Sequence, residues 1–347
     1  MADSTLLIWF EFSICALLIG IAGTKLARYA DVIADKTGLS GSWIGLILLA
    51  TVTSLPELVT GISSLTLIDA PDIAVGGVLG SCVFNLAILI VLDFLVRGES
   101  IYRRASQSHI LSAGLGVVLI GFVGLSVLLA DKTATFSIAH IGAYTPIIIL
   151  FYIIAMRVLF VHEHEHEHEH EHEQVKASVA KVTDRYPEVT LRRASAYYAL
   201  AALVVVAAGI YLPFVGERLA DVMGWHQTFV GTLFIAGVTS LPELAVTIAA
   251  LRIGALDMAI ANLLGSNLFN IIVLAIDDLI YLNGPLLTYV SPLHAFSAMS
   301  AVVMSGVVII GLVYRPKIPM FASVGWISLS LFTLYLLNTY VLFLHGE

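Results

Sequence analysis

The sequence is short of charge. Of its 347 residues only 12% are Asp, Glu, Lys or Arg, while 59% are hydrophobic and the mean hydropathy is +0.96. A soluble domain carries roughly 25% charged residues, so water is excluded as the main solvent of this chain. Cysteine is nearly missing. Cys15 and Cys82 both fall in apolar runs, read as small packing residues, and imply no disulfide framework. Also lacking are a nucleotide loop and a nucleophile with a base at helical spacing. No enzyme, no cofactor and no nucleic-acid partner is therefore expected. The formal net charge of −8 is not a partner signal either, because much of it lies in one short acidic loop.

What is abundant is long apolar runs. A helix crosses a bilayer in about 20 residues. Ten such runs fall near 6–28, 41–65, 73–95, 109–129, 138–160, 195–215, 228–251, 258–280, 292–313 and 322–344. The first is read as a span rather than a secretory signal, with no basic residue before it and no small-residue cleavage site after it. Sorting the loops into two alternating sets separates the basic residues. One set holds Lys25, Arg28, Lys36, Arg97, Arg103, Arg104, Arg157, Lys176, Lys181, Arg185, Arg192, Arg193, Arg252, Arg315 and Lys317; the other holds only Lys132 and Arg218. By the positive-inside rule both termini lie outside and the 161–193 loop is cytoplasmic. The expected location is a plasma membrane of prokaryotic type, crossed many times.

The chain also contains an internal duplication. ATVTSLPELVTGISSL from Ala50 matches AGVTSLPELAVTIAAL from Ala236 at an offset of 186. DIAVGGVLGSCVFNLAILIVLD from Asp72 matches DMAIANLLGSNLFNIIVLAIDD from Asp257 at an offset of 185. Five spans separate the copies, an odd number, so matched helices cross the membrane in opposite senses. The fold expected is all-α: ten transmembrane helices in a 5+5 inverted-topology repeat. Residues 1–160 form the first repeat, 161–193 a His/Glu-rich linker and 194–347 the second repeat. Inverted repeats place a shared site near the midplane and suit alternating access.

Each copy carries T-S-L-P-E inside an apolar run, Thr53 to Glu57 and Thr239 to Glu243. Proline removes a backbone hydrogen bond and pushes away the carbonyl four residues earlier, here that of Val52 or Val238. Carbonyls near Thr53 and Thr239 then become available to a cation beside the carboxylate. A charged carboxylate at membrane depth costs roughly 2.5–3.5 kcal/mol or more. Two at matched positions argue for an ion site against the plainer alternative of a protonated or capping Glu. Facing glutamates also raise each other's affinity for protons, a route to proton competition. The second motif, G-S-x-x-F-N, supplies Gly80, Ser81 and Asn85, then Gly265, Ser266 and Asn270. Ser and Asn at i and i+4 share one helix face. Such a pair alone is commonly interhelical glue, but its repetition beside each Glu segment favours a ligand role. An all-oxygen donor set selects hard cations such as Ca²⁺, Mg²⁺ or Na⁺.

The paired TSLPE and GSxxFN segments resemble the alpha repeats of the calcium/cation antiporter superfamily, whose best-known branch is the sodium/calcium exchangers. The resemblance implies that segments 50–65, 72–93, 236–251 and 257–278 bind ions. It implies Glu57 and Glu243 as Ca²⁺ ligands with the carbonyls of Thr53 and Thr239. Ser54, Ser81, Ser240 and Ser266, with the carbonyls of Ala50 and Ala236, would form flanking sodium sites, and Asn85 and Asn270 would line the centre. Antiport of Ca²⁺ against Na⁺ is the leading expectation and Ca²⁺, or another divalent cation, against H⁺ the alternative. Two departures stand out. Val52 and Val238 replace the glycine often found before Thr-Ser, and neutral Asn85 and Asn270 stand where many exchangers have one acid. Two negative charges balance one Ca²⁺, two Na⁺ or two H⁺, so exchange is expected to be near electroneutral. Steep dependence of vesicle transport on membrane potential would sink that expectation.

Other features read less sharply. Six His-Glu pairs run from His162 to Glu173; they are a solvated linker or a loose divalent-metal site. His109 and His294 match at offset 185 and are read as packing histidines rather than proton relays. Asp93 and Asp278 match likewise at helix ends where water is expected close by. A cation channel would need a ring of more than two acids, which is not evident. A sensor or scaffold centred on the His-Glu loop would leave Glu57 and Glu243 replaceable.

Overall fold

The computed structural model describes residues 2–37, 49–96, 99–130, 136–174, 186–316 and 325–345, without the side chains of 2–4 and 163–174. In chain order come α1 (Ala2–Thr37), α2 (described from 49 to 53), α3 (Leu55–Thr66), α4 (Pro71–Leu95), the short α5 (Ile101–Arg104) and α6 (Ser108–Leu129). A small hairpin, β1 (Ser137–Ile138) with β2 (Ile141–Gly142), leads into α7 (Tyr144–Gln174) and then α8 (Leu191–Met223). The short α9 (Gln227–Phe229), a π-helical turn Val230–Ile235 and α10 (Ala236–Thr239) precede α11 (Leu241–Arg252) and α12 (Leu256–Ile280). After a 3₁₀ turn at Leu286–Thr288 come α13 (His294–Tyr314) and α14 (Trp326–His345).

Helices dominate because an apolar chain in lipid has to satisfy its backbone polar groups within itself. Among the described residues eight helices are long and apolar enough to cross a membrane, or nine if the bent stretch Gln227–Thr239 plus Leu241–Arg252 is taken as one span. The remaining expected span, 41–65, lies partly outside the described residues. Two boundaries differ from expectation. The run from 138 opens as the hairpin, so its helix begins at Tyr144, and that helix continues to Gln174, past the expected boundary at 161.

Both TSLPE segments break their helix at the serine. Ser54 has φ −88° and ψ 11°, and Ser240 has φ −85° and ψ 6°. Pro56 and Pro242 fall in the first turn of the following helix, where the missing N–H is tolerated. The axis bends by 41° at Ser240.

α4 and α12 are the most enclosed spans, each 72% buried, whereas α1, α7 and α14 are about one-third buried or less. The two inner helices pack on each other, with α3 and α11 against them; α1 lies along α8, and α6 along α13. Close approaches depend on glycine. A Cβ on Gly80 of α4 would come within 2.3 Å of the Thr232 carbonyl oxygen in the π-helical turn, and one on Gly23 of α1 within 2.3 Å of Pro242 Cγ.

The halves are cross-linked reciprocally. Asp72, in the first turn of α4, accepts from Ser291 N (2.7 Å) and bonds the His294 ring (2.8 Å). Asp257, in the first turn of α12, accepts from Ser106 N (2.7 Å) and bonds the His109 ring (3.0 Å). Each aspartate thus caps the entry of a helix in the other half, which gives both histidines the packing role expected of them.

Asp93 and Asp278 correct the expectation of nearby water: both are fully buried. Asp93 accepts from Ile101 N (3.1 Å), Ser100 Oγ (3.2 Å), Ser328 Oγ (2.6 Å) and Gly325 N (3.4 Å). Asp278 accepts from Leu286 N (2.7 Å), Gly142 N (3.0 Å), Tyr144 Oη (2.5 Å) and Thr145 Oγ1 (2.5 Å). A carboxylate with this many donors replaces its hydration shell and pins a loop to a helix start. Glu11, on α1, pairs with Arg218 and accepts from Tyr211 Oη (3.1 Å) on α8.

Candidate functional site

Because Leu55 and Leu241 restart helices, Glu57 and Glu243 sit in the first turns of α3 and α11. A helix N-terminus carries a partial positive charge, which offsets part of the cost of a carboxylate so deep in the molecule. Glu57 is 3% exposed and Glu243 is 0% exposed.

The hydroxyls of the motifs converge on these acids across the two halves. Glu57 Oε1 accepts from Ser81 Oγ (3.2 Å) on α4 and from Ser240 Oγ (3.3 Å) in the opposite half. Glu243 Oε1 accepts from Ser54 Oγ (3.1 Å), the counterpart of Ser240. Thr53 Oγ1 lies 3.4 Å from Ser266 Oγ, and its counterpart Thr239 Oγ1 lies 3.4 Å from Ser81 Oγ. Ser240 Oγ also donates to Ser81 Oγ at 3.1 Å. The threonines bond back to the preceding turn, Thr53 Oγ1 to the Ala50 carbonyl (3.1 Å) and Thr239 Oγ1 to that of Ala236 (3.2 Å). The same carbonyls accept the Ser54 N–H (3.1 Å) and the Ser240 N–H (3.0 Å), so both already accept two bonds.

Each glutamate has one oxygen held and one without a hydrogen-bond partner: Glu57 Oε2 and Glu243 Oε2 are buried and unpaired. Asn85 Oδ1 and both polar atoms of Asn270 share that state. Buried polar atoms are nearly always satisfied, so the oxygens among these atoms are candidates to hold a cation. It holds no sulfur or imidazole ligand, and suits a hard ion.

The structure gathers these residues in two hydrogen-bonded sets: Glu57, Ser81, Thr239 and Ser240 in one, and Glu243, Ser54, Thr53 and Ser266, joined through the Ala50 carbonyl, in the other. One participant escaped sequence reasoning. Asn85 Nδ2 donates to Asn267 Oδ1 (3.0 Å), and Asn267 Nδ2 donates to the Cys82 carbonyl (3.2 Å). Cys82 and Asn267 are counterparts at offset 185, and Cys82 Sγ in turn lies 3.9 Å from the Asn267 carbonyl. The signal was present as the unlike pair Cys/Asn within otherwise matching GSxxFN motifs. The side chains of the His-Glu tract after His162 lie outside the described residues. Among the described residues, no group of three or more His, Cys, Asp and Glu could hold a metal.

Helices broken at acid-bearing motifs in both halves, enclosed by apolar spans, define a membrane ion-exchanger architecture. Residues 7–161 and 194–344 match the family described as "Sodium/calcium exchanger protein", and the chain belongs to that family of transporters, which are not enzymes. The inner membrane protein YrbG of Escherichia coli is 25% identical over 257 residues, 74% of each chain. In fold the chain is similar to the sodium-calcium exchanger NCX_Mj (21% identity, TM-score 0.60, covering 97% of this chain and 99% of that one). It is also similar to the H⁺/Ca²⁺ exchanger CAX (13% identity, TM-score 0.65, covering 96% and 81%).

Proposed function

We propose that the chain is a secondary active antiporter that moves Ca²⁺ against Na⁺ through one site alternately open to either side of a membrane. The observation that carries this reading is the pair Glu57 and Glu243. Each is buried at a helix break, each is held through one oxygen by a serine of the other half, and each keeps its second oxygen unpaired. Ca²⁺ is bound between the two free oxygens with help from the Thr53 and Thr239 carbonyls. Ser54, Ser81, Ser240 and Ser266, with the Ala50 and Ala236 carbonyls, serve the counter-ion, and Asn85 and Asn270 line the centre.

The reading includes ten spans in two inverted sets of five, 1–160 and 194–347, joined by 161–193. Both termini are outside and the joining segment is cytoplasmic. Reciprocal bonds between the halves support it, because interlocked copies form two equivalent faces around a single centre. Exchange with H⁺ through the same glutamates is the second reading. It is favoured by the neutral Asn85 and Asn270, which leave only two carboxylates at the centre, and by the fold likeness to an H⁺/Ca²⁺ exchanger.

Radiolabelled Ca²⁺ flux into proteoliposomes separates the two readings when driven first by a Na⁺ gradient and then by a pH gradient, with the potential clamped. Flux under the first is expected. Flux under neither, from protein that is folded and inserted, would refute antiport. Deleting the His162–Glu173 tract is expected to leave the metal dependence of flux unchanged if the tract is only a linker.

A further inference from the structure

Asp277 is a further buried acid, and the glutamate pair does not account for it. It is fully buried in α12, and neither carboxylate oxygen has a hydrogen-bond partner. Its neighbour Asp278 takes all the local donors: two backbone N–H groups, Tyr144 and Thr145. In the first half the counterpart of Asp278 is Asp93, but the counterpart of Asp277 at offset 185 is Leu92, also fully buried. The architecture is therefore completed at this position by leucine, and a carboxylate here has no scaffolding duty to explain it.

Its position is specific. A Cβ on Gly61 would lie 2.6 Å from Asp277 Oδ2 and 2.8 Å from Oδ1, so the carboxylate rests on the bare backbone of α3. Gly61 follows Glu57 by four residues, and Asp277 follows Asn270 by seven. One turn and two turns respectively put both on the faces that carry the centre. Asp277 thus lies at the α3–α12 seam, displaced from the centre toward the end where Tyr281 Oη donates to Asp69 (3.0 Å). α3, α4 and α12 contain no lysine or arginine. The titratable groups around this end are Glu57 one turn inward on α3, Asp278 alongside, His140 with its ring 3.0 Å from the Leu279 carbonyl, the bonded pair Asp72 and His294, Tyr144 of α7, and Asp69 with Tyr281. None of them is hydrogen-bonded to Asp277.

We propose that Asp277 is an additional cation-binding position, occupied by a single positive charge (a proton or Na⁺) whenever α3 is closed on α12. A bare carboxylate pressed on apolar backbone is costly, so closure requires neutralisation, and opening of the seam lets the ion leave. Asp277 then adds one charge to the pair of glutamates on which electroneutral exchange was expected.

The inference rests on the antiport reading, and the test separates them. In proteoliposomes at clamped potential, the opposing Na⁺ or H⁺ gradient that just nulls net Ca²⁺ flux gives the number of monovalent ions exchanged per Ca²⁺ for the wild type, Asp277→Asn and Asp277→Leu. The expected result is a number lower by one in both variants with Ca²⁺ flux retained. Whether the loss appears on the Na⁺ or the pH axis identifies the ion. An unchanged ratio with intact flux overturns the role of Asp277 alone; wild-type protein that exchanges nothing overturns antiport itself. A second readout needs no transport. In the Glu57→Gln/Glu243→Gln double variant, thermal stability in detergent should still depend on Na⁺ or pH, and adding Asp277→Leu should remove a one-site part of that dependence. Persistence of the full dependence would overturn the proposal.

Discussion

Replacing Glu57 by glutamine keeps the shape of the site and removes one charge. The amide oxygen can still accept from Ser81 and Ser240, which now lie 3.2 and 3.3 Å from Oε1. What is lost is attraction for a divalent ion. At about 4 Å and an effective dielectric constant of about 20, each unit pair contributes about 4 kcal/mol, so a carboxylate and Ca²⁺ contribute about 8 kcal/mol. Much of that is offset, because a neutral side chain need not be desolvated as an ion. If about 3 kcal/mol survives, Ca²⁺ binds on the order of 100-fold more weakly. Stability without Ca²⁺ should move the other way. Glu57 Oε2 is buried and unpaired, so neutralising it should raise the melting temperature of ion-free protein by a few degrees, about 1–2 kcal/mol. The assay is Ca²⁺ titration of purified protein, read by calorimetry and by thermal unfolding with and without Ca²⁺. An affinity within about threefold of the wild type, with Ca²⁺-induced stabilisation intact, would refute the ligand role.

Gly80→Ala should cost about 1–3 kcal/mol, because its Cβ would meet Thr232 backbone at 2.3 and 2.7 Å. Gly265→Ala, whose nearest neighbour would be Ala50 Cβ at 3.3 Å, should be far milder; equal losses in thermal unfolding would contradict the packing. Asp278→Ala strands four donors and should cost about 3–5 kcal/mol while leaving Ca²⁺ affinity per folded molecule unchanged. A loss of affinity without a loss of stability would move Asp278 into the ion path. Ser54→Ala removes the hydroxyl held by Glu243 Oε1 and should weaken Ca²⁺ binding about 3–10-fold, measured by the same titration.

Much of this was legible in the chain because lipid simplifies the code. Apolar runs become helices, and two acids inside them stand out against that background. The duplication made the reading firmer, since each motif vouched for its copy. Asn267 is illegible for the opposite reason. Its counterpart is Cys82, so the internal repeat gives no support at that position. Asp277 hid beside Asp278, whose match to Asp93 made the pair look like one helix-end feature. Sequence spacing also carries no information about donors arriving from elsewhere. Asp278 is buried because Gly142, Tyr144 and Thr145 reach it across more than a hundred residues of chain. The break at Ser54 and Ser240 was foreshadowed by the prolines, but the serines' service to the opposite glutamate depends on how the two halves meet.

The bonds between Asp72 and His294 and between Asp257 and His109 make each half of the chain incomplete without the other. A lone half would hold an aspartate with no histidine to meet and a histidine with no aspartate. The clasp therefore couples the fate of the two copies: loosening one pair leaves a buried imidazole and a helix entry uncapped on both sides of the molecule at once.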